Sequence, residues 1–150
     1  MMRTTHATLA ATWLALNAIT ACTRPAPSVH GSADARTLVA VPVDGYDAVL
    51  AEMRVMLGSL NGAVAGLATG DAEAVRAAAA ASGTPEAADA ALEALLPEQW
   101  MTLAERTHGG FDTLAAMAAR AAPRDSLLGQ LGAILPNCVS CHAAYRLGVQ

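Results

Sequence analysis

Apolar residues recur every three or four positions in four stretches of the chain, which is the spacing of one helix face. In the first stretch, from Tyr46 to Leu67, the stripe comprises Tyr46, Leu50, Met53, Leu57, Leu60, Val64 and Leu67. Asp44 is placed to cap this helix and Gly70 to end it. The pattern predicts one long helix with a single core-facing side.

The second stretch begins at Asp71 and is rich in alanine, which favours helix because it loses no side-chain entropy. Ser82-Gly83-Thr84-Pro85 interrupts it, and a further piece follows to about Leu96. This region is predicted as one bent helix or as two short ones.

The third stretch runs from Pro97 to about Ala121, with a stripe of Trp100, Ala104, Thr107, Phe111, Leu114, Ala118 and Ala121. The adjacent Gly109 and Gly110 each lower helix propensity by about 1 kcal/mol relative to alanine. We expect either a weak point there or the close approach of a large group.

The fourth stretch opens at Pro123, and its stripe comprises Leu128, Leu131, Leu135, Cys138, His142 and Tyr145. Pro136 removes one backbone donor and predicts a kink before Cys138. No segment alternates with period two for long enough to predict a strand. The expected fold is all-α, an antiparallel four-helix bundle over residues 44–150.

The N-terminal segment has the pattern of an export signal. Arg3 precedes an apolar run that ends in small residues at Ala21, and the run is short for a bilayer span of about 20 residues. Ile19-Thr20-Ala21-Cys22 resembles the lipobox of bacterial lipoproteins, in which the cysteine is acylated; an ordinary signal peptide with an incidental cysteine is the alternative. We predict a lipoprotein-type signal over residues 1–21, lipidation at Cys22 and a proline-containing flexible tether over residues 22–43.

Composition limits the function classes. A chain of 150 residues with 54% hydrophobic content is long enough for one domain with a core and short for two. The formal net charge of -4 offers no basic surface for nucleic acid.

Cys138-Val139-Ser140-Cys141-His142 has the C-x-x-C-H spacing of covalent haem attachment. Residues three apart share a helix face, so both thiols can reach the two vinyl groups of one porphyrin, and the next residue can ligate the iron. A thioredoxin-like C-x-x-C would require a βαβ setting, and a zinc site would require more ligands than His108 adds. The motif therefore predicts one covalent haem c.

Cys138 to Arg146 resembles the C-terminal signature of the cytochrome c prime family and its low-spin relatives, C-x-x-C-H-x-x-(aromatic)-(basic) on the last helix of a four-helix bundle. The resemblance covers Asp44 to Arg146, but only this motif is specific. It implies thioether bonds at Cys138 and Cys141, proximal ligation by His142, and a haem pocket that includes Tyr145 and Arg146. The alternative for these last two residues is an ordinary amphipathic helix end, in which the positive charge of Arg146 interacts favourably with the helix dipole.

In that family a first-helix residue faces the iron from the distal side. Met53 lies on the predicted stripe and is our expected sixth ligand, with Met56 as the alternative; gap-filling core packing is the competing role of a methionine. As a sixth ligand His108 ranks below both methionines. Met101 and Met117 are less favoured because they are on another helix.

The distal ligand decides between two functions. Methionine ligation predicts electron transfer, whereas five-coordinate iron predicts the binding of small gases such as nitric oxide or carbon monoxide. Peroxidase-like catalysis would require distal acid–base groups, so we expect an electron carrier and not an enzyme. The expected location is the periplasm or the outer face of a bacterial membrane, lipid-anchored, or soluble in the periplasm if Cys22 is not acylated. The expected partners are redox proteins and the membrane, not nucleic acid, and the family resemblance also implies a homodimer through the first two helices.

Overall fold

The computed structural model describes residues 34–84 and 89–150, so the predicted signal and the lipidation at Cys22 lie outside the described residues. Of the described residues 73% are helical, which confirms the predicted predominance of α-helix. Within these ranges the elements in chain order are β1 (Thr37–Val41), α1 (Val43–Thr69), α2 (Ala72–Ala80), α3 (Ala90–Glu93), α4 (Glu98–Ala119), α5 (Arg124–Ala144) and β2 (Tyr145–Val149).

The helix ends follow local chemistry. Gly70 ends α1 in the left-handed conformation, with φ of 74°, and Asp71 caps α2 by accepting a hydrogen bond from the Ala74 backbone nitrogen. The predicted cap at Asp44 is wrong: α1 begins earlier, with Pro42 at the cap position, and Asp44 lies in the first turn. The second predicted stretch is two separate helices, α2 and the single turn α3.

β1 and β2 form a parallel two-stranded sheet in which Thr37 lies opposite Tyr145 and Val41 opposite Val149. The prediction of a chain without strands is therefore wrong at both ends of the domain. β1 lies within residues 22–43, where we expected a tether, and Tyr145 leaves the helix that was predicted to include it. The reason is backbone pairing: each strand supplies the hydrogen-bond partners of the other, and Val39 and Val41 become buried.

The buried side chains form two clusters. The main core combines residues of α1, α2, α4 and α5, namely Ala63, Leu67, Val75, Ala79, Phe111, Leu114, Ala118, Leu127, Leu131 and Ile134. The strand-end core lies beside the sheet and comprises Val39, Val41, Val49, Trp100 and Tyr145. Helix α1 packs on α2, α2 on α4, and α4 on α5, whereas α1 and α5 contact each other much less.

The predicted stripes are largely correct for α4 and partly wrong for α1 and α5. On α4 the stripe residues from Trp100 to Ala118 are buried or half-buried, but Leu103, which was not predicted, is buried beside the half-buried Ala104. Ala121 follows the helix and is exposed. On α1, Leu57 and Val64 are 67% and 57% exposed. On α5 the buried residues are Leu127, Leu131 and Ile134, while the predicted Leu128 and Leu135 are each 44% exposed. At these positions the apolar residue just before the expected one faces the core, whereas the predicted Leu67 and Leu131 are buried.

The glycine pair of α4 marks a close approach to α5. The helix is continuous through Gly109 and Gly110. A Cβ atom on Gly110 would lie 2.7 Å from Ile134 Cγ1, whereas one on Gly109 would have nothing within 4 Å. Gln130 Nε2 also donates a hydrogen bond to the Gly110 carbonyl, at 3.0 Å. One of the two glycines therefore permits α4 and α5 to pack closely.

The substitution Gly110→Ala should lower the free energy of unfolding by about 1–3 kcal/mol, because Ile134 is buried and has little room to move. The matched control Gly109→Ala should raise it by up to about 1 kcal/mol through the better helix propensity of alanine. Urea denaturation followed by circular dichroism measures both. Equal effects of the two substitutions would contradict this packing.

Candidate functional site

The two motif cysteines continue the buried face of α5. Leu127, Leu131 and Ile134 are followed at the same spacing by Cys138 and Cys141, which are half-buried free thiols. Partial burial raises the pKa of both thiols, and the nearby Cys138 raises that of Cys141 further. Thiol–disulfide exchange sites have lowered thiol pKa values. The direction of these shifts argues against a redox-exchange function for this C-x-x-C pair.

A groove of about 310 Å³ lies at the end of this face. Its lining comes from α1, α4, the end of α5, β2 and the residue before β1. The lining residues are Arg36, Tyr46, Leu50, Met53, Trp100, Cys141, His142, Tyr145, Arg146 and Leu147. The walls are mainly apolar, with a thiol, an imidazole and two guanidinium groups among them.

Met53 and Met56 have different surroundings. Met53 lines the groove together with Cys141 and His142, and it also packs against the strand-end core. Met56, three residues later, packs against the main core and is not among the lining residues of this groove. Of the two methionines considered as ligands, the structure brings Met53 to the cysteine motif.

Tyr145 and Arg146 both line the groove, but as the first residues of β2 and not as a helix end. The Tyr145 ring lies 5.5 Å from the Trp100 ring, centroid to centroid, and its hydroxyl donates to Gln99 Oε1 at 3.2 Å. Tyr145 therefore fixes the turn from α5 into the strand while its ring forms part of the groove wall.

The sequence did not predict Arg36, Trp100 or Leu147 as groove residues. Trp100 was predicted only as core, and Arg36 belongs to the segment expected to be a tether. Arg36 and Leu147 reach the groove because β1 pairs with β2 beside the motif, whereas Trp100 reaches it from α4. β1 was missed because its residues after Thr37 are all apolar and show no period-two alternation.

His108 is engaged elsewhere. Its Nε2 atom lies 3.2 Å from Glu52 Oε1 and its Nδ1 atom 3.0 Å from the Ser82 carbonyl oxygen. These contacts join α4 to α1 and to the end of α2, and His108 is not among the groove residues. Met101 packs against the strand-end core and Met117 against the main core.

The faces that line the groove continue along α1 and α5 as exposed apolar surface. On α1, the face of Met53 continues through Leu57 and Val64, which follow it at helical spacing. On α5, the face of His142 includes the earlier residues Leu128, Leu135 and Val139. We call the exposed apolar members of these faces the α1–α5 seam: Leu57, Val64, Leu128, Leu135 and Val139. The sparse contact between α1 and α5 leaves this seam open to solvent.

The described residues contain no group of three or more His, Cys, Asp and Glu side chains that would hold a metal ion by themselves. By length and composition α1 is apolar enough to cross a membrane. Core helices of soluble proteins share that composition, and α1 contributes Ala63 and Leu67 to the main core. This property alone does not assign α1 to a bilayer.

No family model, curated protein or solved structure matches the chain. The resemblance to the cytochrome c prime family thus rests on the residues of the C-terminal motif and on the order of the helices.

The His108–Glu52 pair predicts that stability falls as pH rises. Both partners of the imidazole are acceptors, so both ring nitrogens donate only in the charged form, and the Glu52 carboxylate is the main cause of the raised pKa of His108. The contribution is complete below the unfolded-state pKa of about 6.5 and disappears as pH rises through the higher folded-state pKa. His108→Gln should cost about 1 kcal/mol at pH 5.5 and less at pH 8.5, by urea denaturation.

The matched variant Glu52→Gln should flatten the same pH dependence, because it removes the charge that stabilises the imidazolium. A difference between wild type and His108→Gln that stays constant from pH 5.5 to pH 8.5 would contradict the ion pair.

Proposed function

We propose that this protein is a c-type cytochrome that carries one covalent haem and transfers electrons outside the cytoplasmic membrane. The observation that carries the proposal is the meeting of the C-x-x-C-H motif with an apolar groove: the thiols continue the buried face of α5, and Cys141 and His142 line a groove whose α1 wall contains Met53.

The residues present fit a haem. Two thiols one helical turn apart match the two vinyl groups, and the imidazole of His142 is the usual proximal ligand of c-type haems. Tyr46, Leu50, Trp100 and Leu147 supply apolar and aromatic walls. A bound haem would supply one-electron redox chemistry, with a potential tuned by its axial ligands and by burial.

Cys138 and Cys141 would fix the group to α5, and His142 would hold the iron. Partial burial raises the pKa of both thiols, which favours the protonated form that is less readily oxidised. Met53 would offer its thioether from α1, joining a helix that contacts α5 only sparsely to the group that α5 holds.

The groove volume of about 310 Å³ lies at the low end of ligand sites, which span about 300–1,000 Å³. A porphyrin would fill it and extend beyond it toward the α1–α5 seam. We propose that the seam supplies this further apolar contact, and that its burial completes a four-helix bundle of α1, α2, α4 and α5.

An alternative function is the binding of small gases at five-coordinate iron. One observation favours it: Met53 packs against the strand-end core, a position in which methionine serves as filler. Leu50, on the same wall, would then leave an apolar distal side suited to nitric oxide or carbon monoxide. We place catalysis lower, because the imidazole of His108 is held by Glu52 and Ser82.

We propose that Cys22 is acylated and anchors the protein to the outer face of a bacterial membrane. The signal-like residues 1–21 and the lipobox-like sequence support this location. Redox proteins are the proposed partners. The homodimer through the first two helices is proposed from the family resemblance alone.

Covalent attachment is tested by expressing the full chain together with a haem-attachment machinery and measuring the mass of the denatured protein. The wild type should retain one haem, whereas Cys138→Ala with Cys141→Ala should retain none, because no thioether can form. Cys22→Ala is the control: it should keep the haem and lose any acyl mass. A wild type without covalent haem would contradict the proposed function.

The distal ligand is tested by optical spectra of the haem-loaded protein with and without carbon monoxide. If Met53 ligates the iron, the wild type is low-spin and unresponsive to carbon monoxide. Met53→Ala then becomes high-spin and binds carbon monoxide, and its reduction potential is lower than that of the wild type. The matched variant Met56→Ala should keep the wild-type spectrum. A wild type that already binds carbon monoxide would favour the gas-binding function.

A further inference from the structure

Two guanidinium groups stand at one side of an otherwise mainly apolar groove. Arg36 lies just before β1 and Arg146 is the second residue of β2, so the parallel pairing of the strands brings them together from opposite ends of the chain. Each side chain is 42% exposed, which leaves it accessible to a ligand as well as to solvent.

Asp34 joins the two arginines. Its carboxylate accepts hydrogen bonds from Arg36 Nε at 2.9 Å and Arg36 Nη2 at 2.7 Å, and it lies 3.9 Å from Arg146 Nε. The hydrogen bonds from Arg36 lower the pKa of Asp34 to about 2, so the carboxylate is charged at neutral pH. One negative charge among two positive ones leaves the group with a net charge of about +1.

Asp34 does not occupy all the hydrogen-bond donors of the two arginines. Arg36 Nη1 also reaches the His142 carbonyl oxygen, at 3.4 Å, which ties this guanidinium to the cysteine motif. The 3.9 Å separation of Arg146 Nε from Asp34 exceeds a hydrogen bond, so Asp34 does not engage the donors of Arg146. A guanidinium fork matches a carboxylate in two-point geometry.

We propose that Arg36 and Arg146 form a carboxylate-binding pair at the edge of the groove and that it binds the acidic side groups of the haem. The groove offers an apolar body with two cations at its edge, and haem is an apolar plane with two carboxylates at one edge. Asp34 orients Arg36 and limits the positive charge. This inference rests on the proposed function, because that function supplies the carboxylates.

The test compares two probes that differ only in these carboxylates: ferric haem and its dimethyl ester. Each is titrated by absorbance into the full chain with its thiols kept reduced, so that the readout is non-covalent affinity. Arg36→Gln and Arg146→Gln should each weaken haem binding by about three- to tenfold and leave ester binding unchanged. Arg36→Lys should recover part of the loss, since it keeps the charge without the fork.

Arg124→Gln is the matched control. It removes one arginine at the other end of α5, about 27 Å from His142 along the helix axis, and should change neither affinity. Ester binding shows whether each variant is folded. If Arg36→Gln fails to fold, Asp34→Asn replaces it: this variant frees Arg36 and should tighten haem binding without affecting the ester.

The possible failures are distinct. The carboxylate-binding pair is contradicted if the wild type binds haem and ester equally. It is also contradicted if the arginine variants lose affinity for both probes equally while remaining helical by circular dichroism. In either case the proposal of a haem protein still stands. If the wild type binds neither probe, the proposed function is wrong, and this inference is wrong with it.

Discussion

The rotation of α5 about its own axis determines what the cysteine motif can do. That rotation is set by burial of Leu127, Leu131 and Ile134 against the main core, each worth about 1.5–3 kcal/mol relative to an exposed side chain. A shift of one residue would turn the helix by about 100°. The thiols would then leave the face that ends at the groove, and Gly110 would no longer meet Ile134.

The sheet provides the second constraint. α5 ends at Ala144 because Tyr145 adopts an extended conformation, with φ of -125° and ψ of 150°, and enters β2. Packing of its ring near Trp100 and pairing with Thr37 hold the chain in that direction. As a result the motif lies on the last turns of the helix that positions its thiols, directly before a strand that forms part of the groove wall.

How much of the fold is predictable differs between elements for physical reasons. Most of the α4 stripe was predicted because Phe111 and Leu114 have only glycine, alanine or polar residues beside them. In α1 and α5 the apolar residues come in neighbouring pairs, such as Met56 with Leu57 and Ile134 with Leu135. Spacing alone does not tell which member of a pair faces the core, and the structure selects the first one in both cases.

The candidate site was predictable where its residues share one local pattern and not where distant segments meet. The motif identified Cys138, Cys141 and His142, and the first-helix stripe led to Met53. Arg36 could not be found in this way, because it reaches the groove only through a strand whose partner lies at the other end of the chain. A five-residue strand with a distant parallel partner has no turn signal beside it.

The pairing of β1 with β2 also orders events in time. Ala40 and Gln150 are 110 residues apart in sequence, so the sheet can close only after the residues of β2 have been synthesised. A contact of this separation has a large loop-closure entropy and forms late compared with helices. In a chain synthesised N-terminus first, the cysteine motif therefore precedes the strand that forms part of its groove. The thiols are then most accessible before the two strands pair, which sets a window for any enzyme that modifies them.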